Sequence, residues 1–238
     1  MAVARSTQVH LDSTPYYHCV SRCVRRAFLC GEDPVTGKNF DHRKGWLEAR
    51  LLRLSSVFAV DTCAYAVMSN HFHLVVRVDA ARAETWDTEE VVDRYGSLFP
   101  MAKTAYEGLS PRDRKVQVAL WRERLSSLSW MMRSLNEWLA RKANKEDGCK
   151  GRFWEGRFSS QPLLDEQALI TCMAYVDLNP VRAGLSKTLE GAEYTSIRAR
   201  LGETAAALDE ASECATTKTA TIAAPPACLL YTSPSPRD

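Results

Sequence analysis

The chain has 238 residues, 45% hydrophobic and 25% charged, which suits one ordinary soluble domain with extensions. Its net charge of +2 conceals an uneven spread: Ser110–Arg157 carries twelve Lys/Arg against six Asp/Glu, and Asp79–Glu107 carries three against seven. Eight cysteines form no C-x-x-C pair or zinc-finger spacing, no apolar stretch reaches about 18 residues, and MAVARSTQVHLDSTP lacks a signal-peptide core, so a cytoplasmic protein with buried, reduced thiols and no spanning helix is expected.

Residues 1–15 read as an N-terminal extension, and residues 16–200 as the folded domain. Tyr16–Phe28, YYHCVSRCVRRAF, alternates loosely and is rich in β-branched and aromatic types, which predicts a strand running into a basic turn. The Gly-, Pro- and Asp-containing CGEDPVTGKNFDHRKG reads as a loop. Trp46–Val60 predicts an amphipathic helix with Trp46, Ala49, Leu52 and Leu54 near one face and arginines opposite. Thr62–Met68 and His71–Val78 read as strands joined at Ser69-Asn70, a hairpin.

Residues 80–147 are mostly helical in pattern, an insertion broken at Gly96–Pro100 and at Gly108–Pro111. One long run places Leu120, Trp121, Leu125, Leu128, Met131, Met132, Leu135, Trp138 and Leu139 at three- and four-residue steps, a core-packing stripe. GCKGRFWEGRF follows as a cationic, glycine-rich loop. Leu163–Leu178 predicts a helix with Asp165 as N-cap, Ala168, Leu169, Cys172, Met173 and Val176 as its buried stripe, and Pro180 as its stop. Residues 201–238 turn to Ala and Thr with few large apolar side chains, which predicts disorder. The closing CLLYTSPSPRD resembles translated adapter sequence and takes no part in the fold reading.

Chemistry first suggests itself in AYAVMSNHFHLVV. Residues two apart on a strand share a face, so His71 and His73 project together while Phe72, Leu74 and Val76 point the other way. Two imidazoles so placed can share a divalent ion, or can be a structural pair; spacing alone allows both. Far downstream, MAYVDLNPVRAG places Tyr175 and Asn179 one helical turn apart on one face. A tyrosine oxygen can attack a phosphodiester and stay joined to the phosphate, given a cation to polarise the phosphoryl group and an oxygen ligand beside it. Taken alone, a tyrosine such as Tyr175 is more often an ordinary half-buried helix residue.

SNHFHLVV, then GRFWEGRF, then AYVDLNPVRAGL, in this order, resemble the single-tyrosine HUH (His-apolar-His) transposases, in particular the REP-associated tyrosine transposase branch. The resemblance spans roughly residues 16–200. It implies an α+β fold, an antiparallel sheet covered by helices in a ferredoxin-like or RNA-recognition arrangement. It implies that His71, His73 and Asn179 bind Mg²⁺ or Mn²⁺ and that Tyr175 is the nucleophile, forming a 5′-phosphotyrosyl intermediate. It further implies a partner of single-stranded or hairpin DNA in a bacterial cytoplasm, no membrane, no nucleotide cofactor, and a monomer or homodimer. The helical region over 80–147 is longer than the family pattern.

The loop adds candidate DNA contacts: Lys150, Arg152 and Arg157 to phosphates or base edges, with Phe153 and Trp154 either stacking on unpaired bases or anchoring the loop to the core. Arg22, Arg25 and Arg26 form a second basic candidate. Cys19 and Cys23 read as packing residues. Rival readings are another HUH endonuclease, such as a replication initiator or relaxase, against which stands the lack of a Walker-type phosphate loop, and a non-catalytic module binding structured DNA or RNA.

Overall fold

β1 (Tyr16–Arg22), α1 (His42–Val57), β2 (Val60–Val67), β3 (His71–Val78), α2 (Ala80–Thr85), α3 (Thr88–Leu98), α4 (Pro100–Glu107), α5 (Pro111–Leu125), α6 (Leu128–Glu146), β4 (Ser159–Pro162) and α7 (Glu166–Arg182) follow in chain order. Residues 196–202 are helical again. These come from a computed structural model that describes residues 13–24, 29–33 and 37–202. The candidate DNA contacts Arg25 and Arg26, the first 12 residues and residues 203–238 of the tail expected to be disordered lie outside the described residues, while residues 201–202 of that expected tail are helical.

The four strands form one antiparallel sheet in the order β2-β3-β1-β4. Read from the β4 edge this is 4-1-3-2, the ferredoxin-like arrangement the resemblance implies. The β2–β3 hairpin turns at Ser69-Asn70 as the sequence predicts, with a register shift between Thr62 and Ala64. Alternation along the two central strands divides the sheet into two faces. Tyr17, Cys19, Phe72, Leu74 and Val76 join one large core with α1, α5 and α6. Ala64, Ala66 and Val75 join a smaller core under Leu169 and Val176 of α7. Thus α7 is a third layer on the face opposite α1 and α6, and no helix among the described residues is long and apolar enough to cross a membrane.

Caps account for most helix starts. Asp79, Asp87, Ser110 and Asp165 each accept a hydrogen bond from a backbone N–H three residues on. The breaks near Gly96–Pro100 and Gly108–Pro111 are present as predicted. The α2–α5 bundle is held by a Tyr95–Trp121 stack at 4.6 Å, and the Arg122 guanidinium donates to the Trp86 carbonyl oxygen at 2.7 Å. The bundle joins the main core through Val91, Tyr95 and Trp121, and α6 through Met131, Met132, Leu135 and Leu139.

Three local expectations are corrected and one strand is added. The first helix begins at His42, not Trp46, because Arg43 is fully buried, paired with Glu146 and Asp147 and lying under the Phe40 ring, which fixes that turn. Its inward face is accordingly Arg43, Leu47, Leu51 and Leu54, with Ala49 and Leu52 exposed. The long stripe is two helices broken at Ser126-Ser127, where the Leu125 carbonyl leaves the helix to accept from Ala59 N–H at 2.8 Å, and Leu120 is exposed. The polar edge strand β4, SSQP, had no alternating pattern to reveal it; backbone pairing to β1 defines it. Finally, Pro180 does not stop α7, which runs on to Arg182. A proline so near the end costs a single intrahelical bond, and Leu185 N–H closes back on the Pro180 carbonyl at 2.9 Å.

Candidate active site

The site lies on the α7 face of the sheet. β3 is paired so that His73 stands opposite Val20 and His71 opposite Arg22, and period-2 alternation sends both imidazoles toward α7. α7 packs chiefly over β2 and β3, and at the margin of that cover His73 is buried and His71 half-buried. Tyr175 and Asn179 share the helix face above them. The Tyr175 ring is perpendicular to His73 with centroids 5.6 Å apart, and the Asn179 amide nitrogen lies 3.4 Å from His73 Nε2. Tyr175 is 42% exposed, so a chain outside the protein can reach its hydroxyl. Arg182, further along α7, places its guanidinium 5.9 Å from the tyrosine ring.

His71 Nε2 and His73 Nε2 are 3.1 Å apart. The Asn70 side-chain oxygen lies 2.6 Å from His71 Nδ1, so it accepts from Nδ1–H and leaves Nε2 as a lone pair. Burial lowers the His71 pKa, with the Arg22 charge adding to it. Burial, with contributions from His71, His18 and Arg22, pushes His73 down to about 3. Both rings are therefore neutral near pH 7, the form in which imidazole binds a metal.

Whether this set fits a divalent ion can be judged by spacing. Ligand atoms about 2.1 Å from a shared ion stand about 3.0–3.4 Å from one another in octahedral or tetrahedral arrangements. The observed separations of 3.1 Å and 3.4 Å around His73 Nε2 are of that size. The Asn179 amide, whose oxygen and nitrogen exchange on a half-turn, can supply the oxygen ligand that Mg²⁺ and Mn²⁺ favour. Among the described residues no group of three or more His, Cys, Asp or Glu side chains could hold a metal, so a three-ligand site here needs the asparagine.

Two residues at the site were not singled out from the sequence. Asn70 fixes the His71 ring; its sequence signal was only that of a turn residue. His18, from β1, lies edge to edge with His73, the rings 15° from coplanar with centroids 5.2 Å apart, its Nε2 3.0 Å from His73 Nδ1. A histidine in the same alternating frame as Arg22 was visible in YYHCVSR, but the pairing that sets it beside His73 was not.

The cationic loop docks where β1 ends. Val24 N–H donates to the Phe153 carbonyl and Glu155 N–H to the Arg22 carbonyl, each at 2.9 Å, which puts the exposed Lys150, Arg152 and Arg157 at the end of the sheet that carries His71. The stacking role for Phe153 is corrected: it is 2% exposed, packed in the main core against Trp154, and has no face for a base. Trp154 is half-buried. Its indole N–H donates to the Asn136 carbonyl, and its ring walls a cleft of about 520 Å³ with Met132, Arg157 and Phe158. A second hollow, about 650 Å³, opens beside Tyr175 between α7 and β4, lined by His18, Gln161, Gln167 and Thr171.

Sheet, helix and site define an α+β domain that gathers a histidine pair, an asparagine and an accessible tyrosine on one sheet face. No family model matches the chain, and no curated protein matches it. Among solved structures it is similar to a REP-associated tyrosine transposase bound to a REP hairpin, with a TM-score of 0.50 over 85% of this chain and 86% of that one, at 12% sequence identity. The fold is thus the one the three sequence motifs imply, that of the REP-associated tyrosine transposases.

Proposed function

We propose that the chain cleaves and rejoins single-stranded DNA at hairpin or palindromic elements, as a metal-dependent transposase with Tyr175 as nucleophile. One observation carries the reading: the exposed Tyr175 ring stands directly over His73, whose Nε2 lies among His71 Nε2 and the Asn179 amide. The similar transposase was solved on a hairpin, which supports hairpin DNA as the partner class.

When bound, Mg²⁺ or Mn²⁺ would neutralise charge on the scissile phosphate. His71, His73 and Asn179 would hold that ion, with Asn70 keeping the His71 lone pair turned toward it. The Tyr175 oxygen forms a bond to phosphorus as the bond to the 3′ oxygen breaks, and the phenol proton ends on that oxygen. The products are a 5′-phosphotyrosyl link and a free 3′-OH, and joining is the same displacement in reverse, with no nucleotide consumed. Holding the tyrosine in line on a rigid helix supplies the positioning part of the rate gain. Arg22, Lys150, Arg152 and Arg157 track the DNA backbone at the sheet end.

The test is incubation with labelled hairpin-bearing single-stranded DNA and Mn²⁺, followed by denaturing electrophoresis. A covalent adduct is expected from the native chain and none from Tyr175→Phe. A chain that binds the DNA yet forms no adduct is a binding module and not a transposase.

A further inference from the structure

We infer that His18 is a positioning residue that holds His73 as a metal ligand by accepting a hydrogen bond from its Nδ1–H. The inference rests on the metal reading proposed above. A neutral imidazole has one N–H and one lone pair, on nitrogens that point to different sides of the ring. In His73, Nε2 faces His71 and Asn179, while Nδ1 faces His18 Nε2 at 3.0 Å. His18 therefore cannot share an ion bound at His73 Nε2; it is placed on the other nitrogen.

That placement has a chemical consequence. For Nε2 to offer its lone pair, the single proton of His73 must reside on Nδ1, and His18 Nε2 is the group set to receive it. Metal-bound histidines nearly always donate their second N–H to an acceptor, usually a carboxylate, a carbonyl or water, which fixes both tautomer and ring orientation; here the acceptor is an imidazole nitrogen. His71 has the same device in a different residue, Asn70 Oδ1 on its Nδ1 at 2.6 Å. The two proposed histidine ligands are thus oriented by two independent partners, one from the β2–β3 turn and one from β1. The two rings lie within 15° of a common plane with centroids 5.2 Å apart, the edge-to-edge arrangement in which an in-plane N–H on one ring meets the in-plane lone pair of the other, so rotating the His73 ring breaks the bond. His18 comes from the central strand and is half-buried, so its own position is set by pairing to both β3 and β4.

Three substitutions separate orientation from packing. His18→Phe keeps a flat ring beside His73 but removes the acceptor. His18→Gln replaces the ring with an amide whose oxygen can sit near the Nε2 position. His18→Asn is too short to reach. Mn²⁺ binding to the full chain without DNA is measured by electron paramagnetic resonance, and the Zn²⁺-loaded protein is examined by ¹⁵N NMR for a His73 Nδ1–H shielded from exchange with water. His18→Phe and His18→Asn should weaken Mn²⁺ binding by about 10–100-fold and lose the shielded N–H signal, and His18→Gln should restore both. If His18→Phe fails to fold, the Asn and Gln pair decides. Unchanged Mn²⁺ affinity in His18→Phe, or equal loss in His18→Gln and His18→Phe with native melting curves, overturns the role. A native chain that takes up no Mn²⁺ overturns the metal reading itself, and with it this role.

Discussion

The Tyr175 and His73 rings meet at 90° with centroids 5.6 Å apart, although the two residues come from different layers of the fold. The contact joins an exposed aromatic to a buried imidazole, which sorts the consequences of changing each. Tyr175→Phe removes only a hydroxyl from a residue 42% exposed, so the melting temperature should stay close to native, in line with surface changes of about 0.5 kcal/mol or less. Covalent capture of DNA should vanish while hairpin binding persists. Gel-shift and adduct assays on the same preparation check this, and an adduct that survives the substitution would move the nucleophile elsewhere.

The buried ionisable groups predict how the metal-free protein responds to pH. His73 has a folded pKa of about 3 against an ordinary 6.5, and His71 and His18 are also lowered by burial. As pH falls below 6.5 the unfolded chain takes up protons that the folded one refuses, so stability decreases from there toward pH 3. On the alkaline side, burial pushes the Cys30 thiol up to about 12 from 9.0, so stability decreases again as pH rises past 9.0 and the unfolded thiol ionises first. Chemical-denaturation midpoints across this range should peak between the two limits. In a His71→Ala/His73→Ala variant the acid-side decline should become shallower, while the alkaline side is unaffected.

How far the sequence reveals this site depends on which contacts are local. His71 with His73, and Tyr175 with Asn179, are fixed by strand and helix periods, so each pair is legible along the chain. The turn at Ser69-Asn70, the Asp165 cap and the buried Val176 are legible for the same reason. His18 and β4 are not, because both depend on pairing with strands distant in sequence, and a polar four-residue edge carries no alternation. Pro180 misleads because a general helix breaker is tolerated in a last turn. Arg43 falls in a stretch that reads as a loop, because its two carboxylate partners lie at the far end of α6.

Within the cationic loop, charge and aromatic positions should behave differently. Replacing Arg22, Lys150, Arg152 or Arg157 singly by Ala should weaken hairpin binding for any sequence and reduce the salt dependence by about one unit of slope for each phosphate no longer neutralised. Phe153→Ala should instead cost about 3–5 kcal/mol of folding stability, because its ring fills the main core. Titrations at several salt concentrations, with parallel melts, distinguish the two. A Phe153→Ala protein of native stability and reduced DNA affinity would restore the stacking role that its burial denies.

Two residues beyond the proposed nucleophile, Asp177 faces inward and holds the other side of α7. Its carboxylate accepts from Ser196 Oγ at 2.8 Å and pairs with Arg200, whose guanidinium also donates to the Cys63 carbonyl at 3.1 Å. Ser196 in turn accepts from Tyr65 N–H at 2.9 Å, so the network ties α7 to β2 and to the helical segment at 196–202. Burial raises the Asp177 pKa, while Arg200 and Ser196 favour its charged form. Because Asp177 and Tyr175 lie on opposite sides of one helix, this anchor sets the rotation that presents the tyrosine to His73. Asp177→Ala should cost about 1–3 kcal/mol by stranding its partners. It should also slow adduct formation at temperatures where the protein remains fully folded, with hairpin affinity retained. A variant that loses stability but forms adduct at the native rate would show that β2 and the smaller core alone fix the orientation of α7.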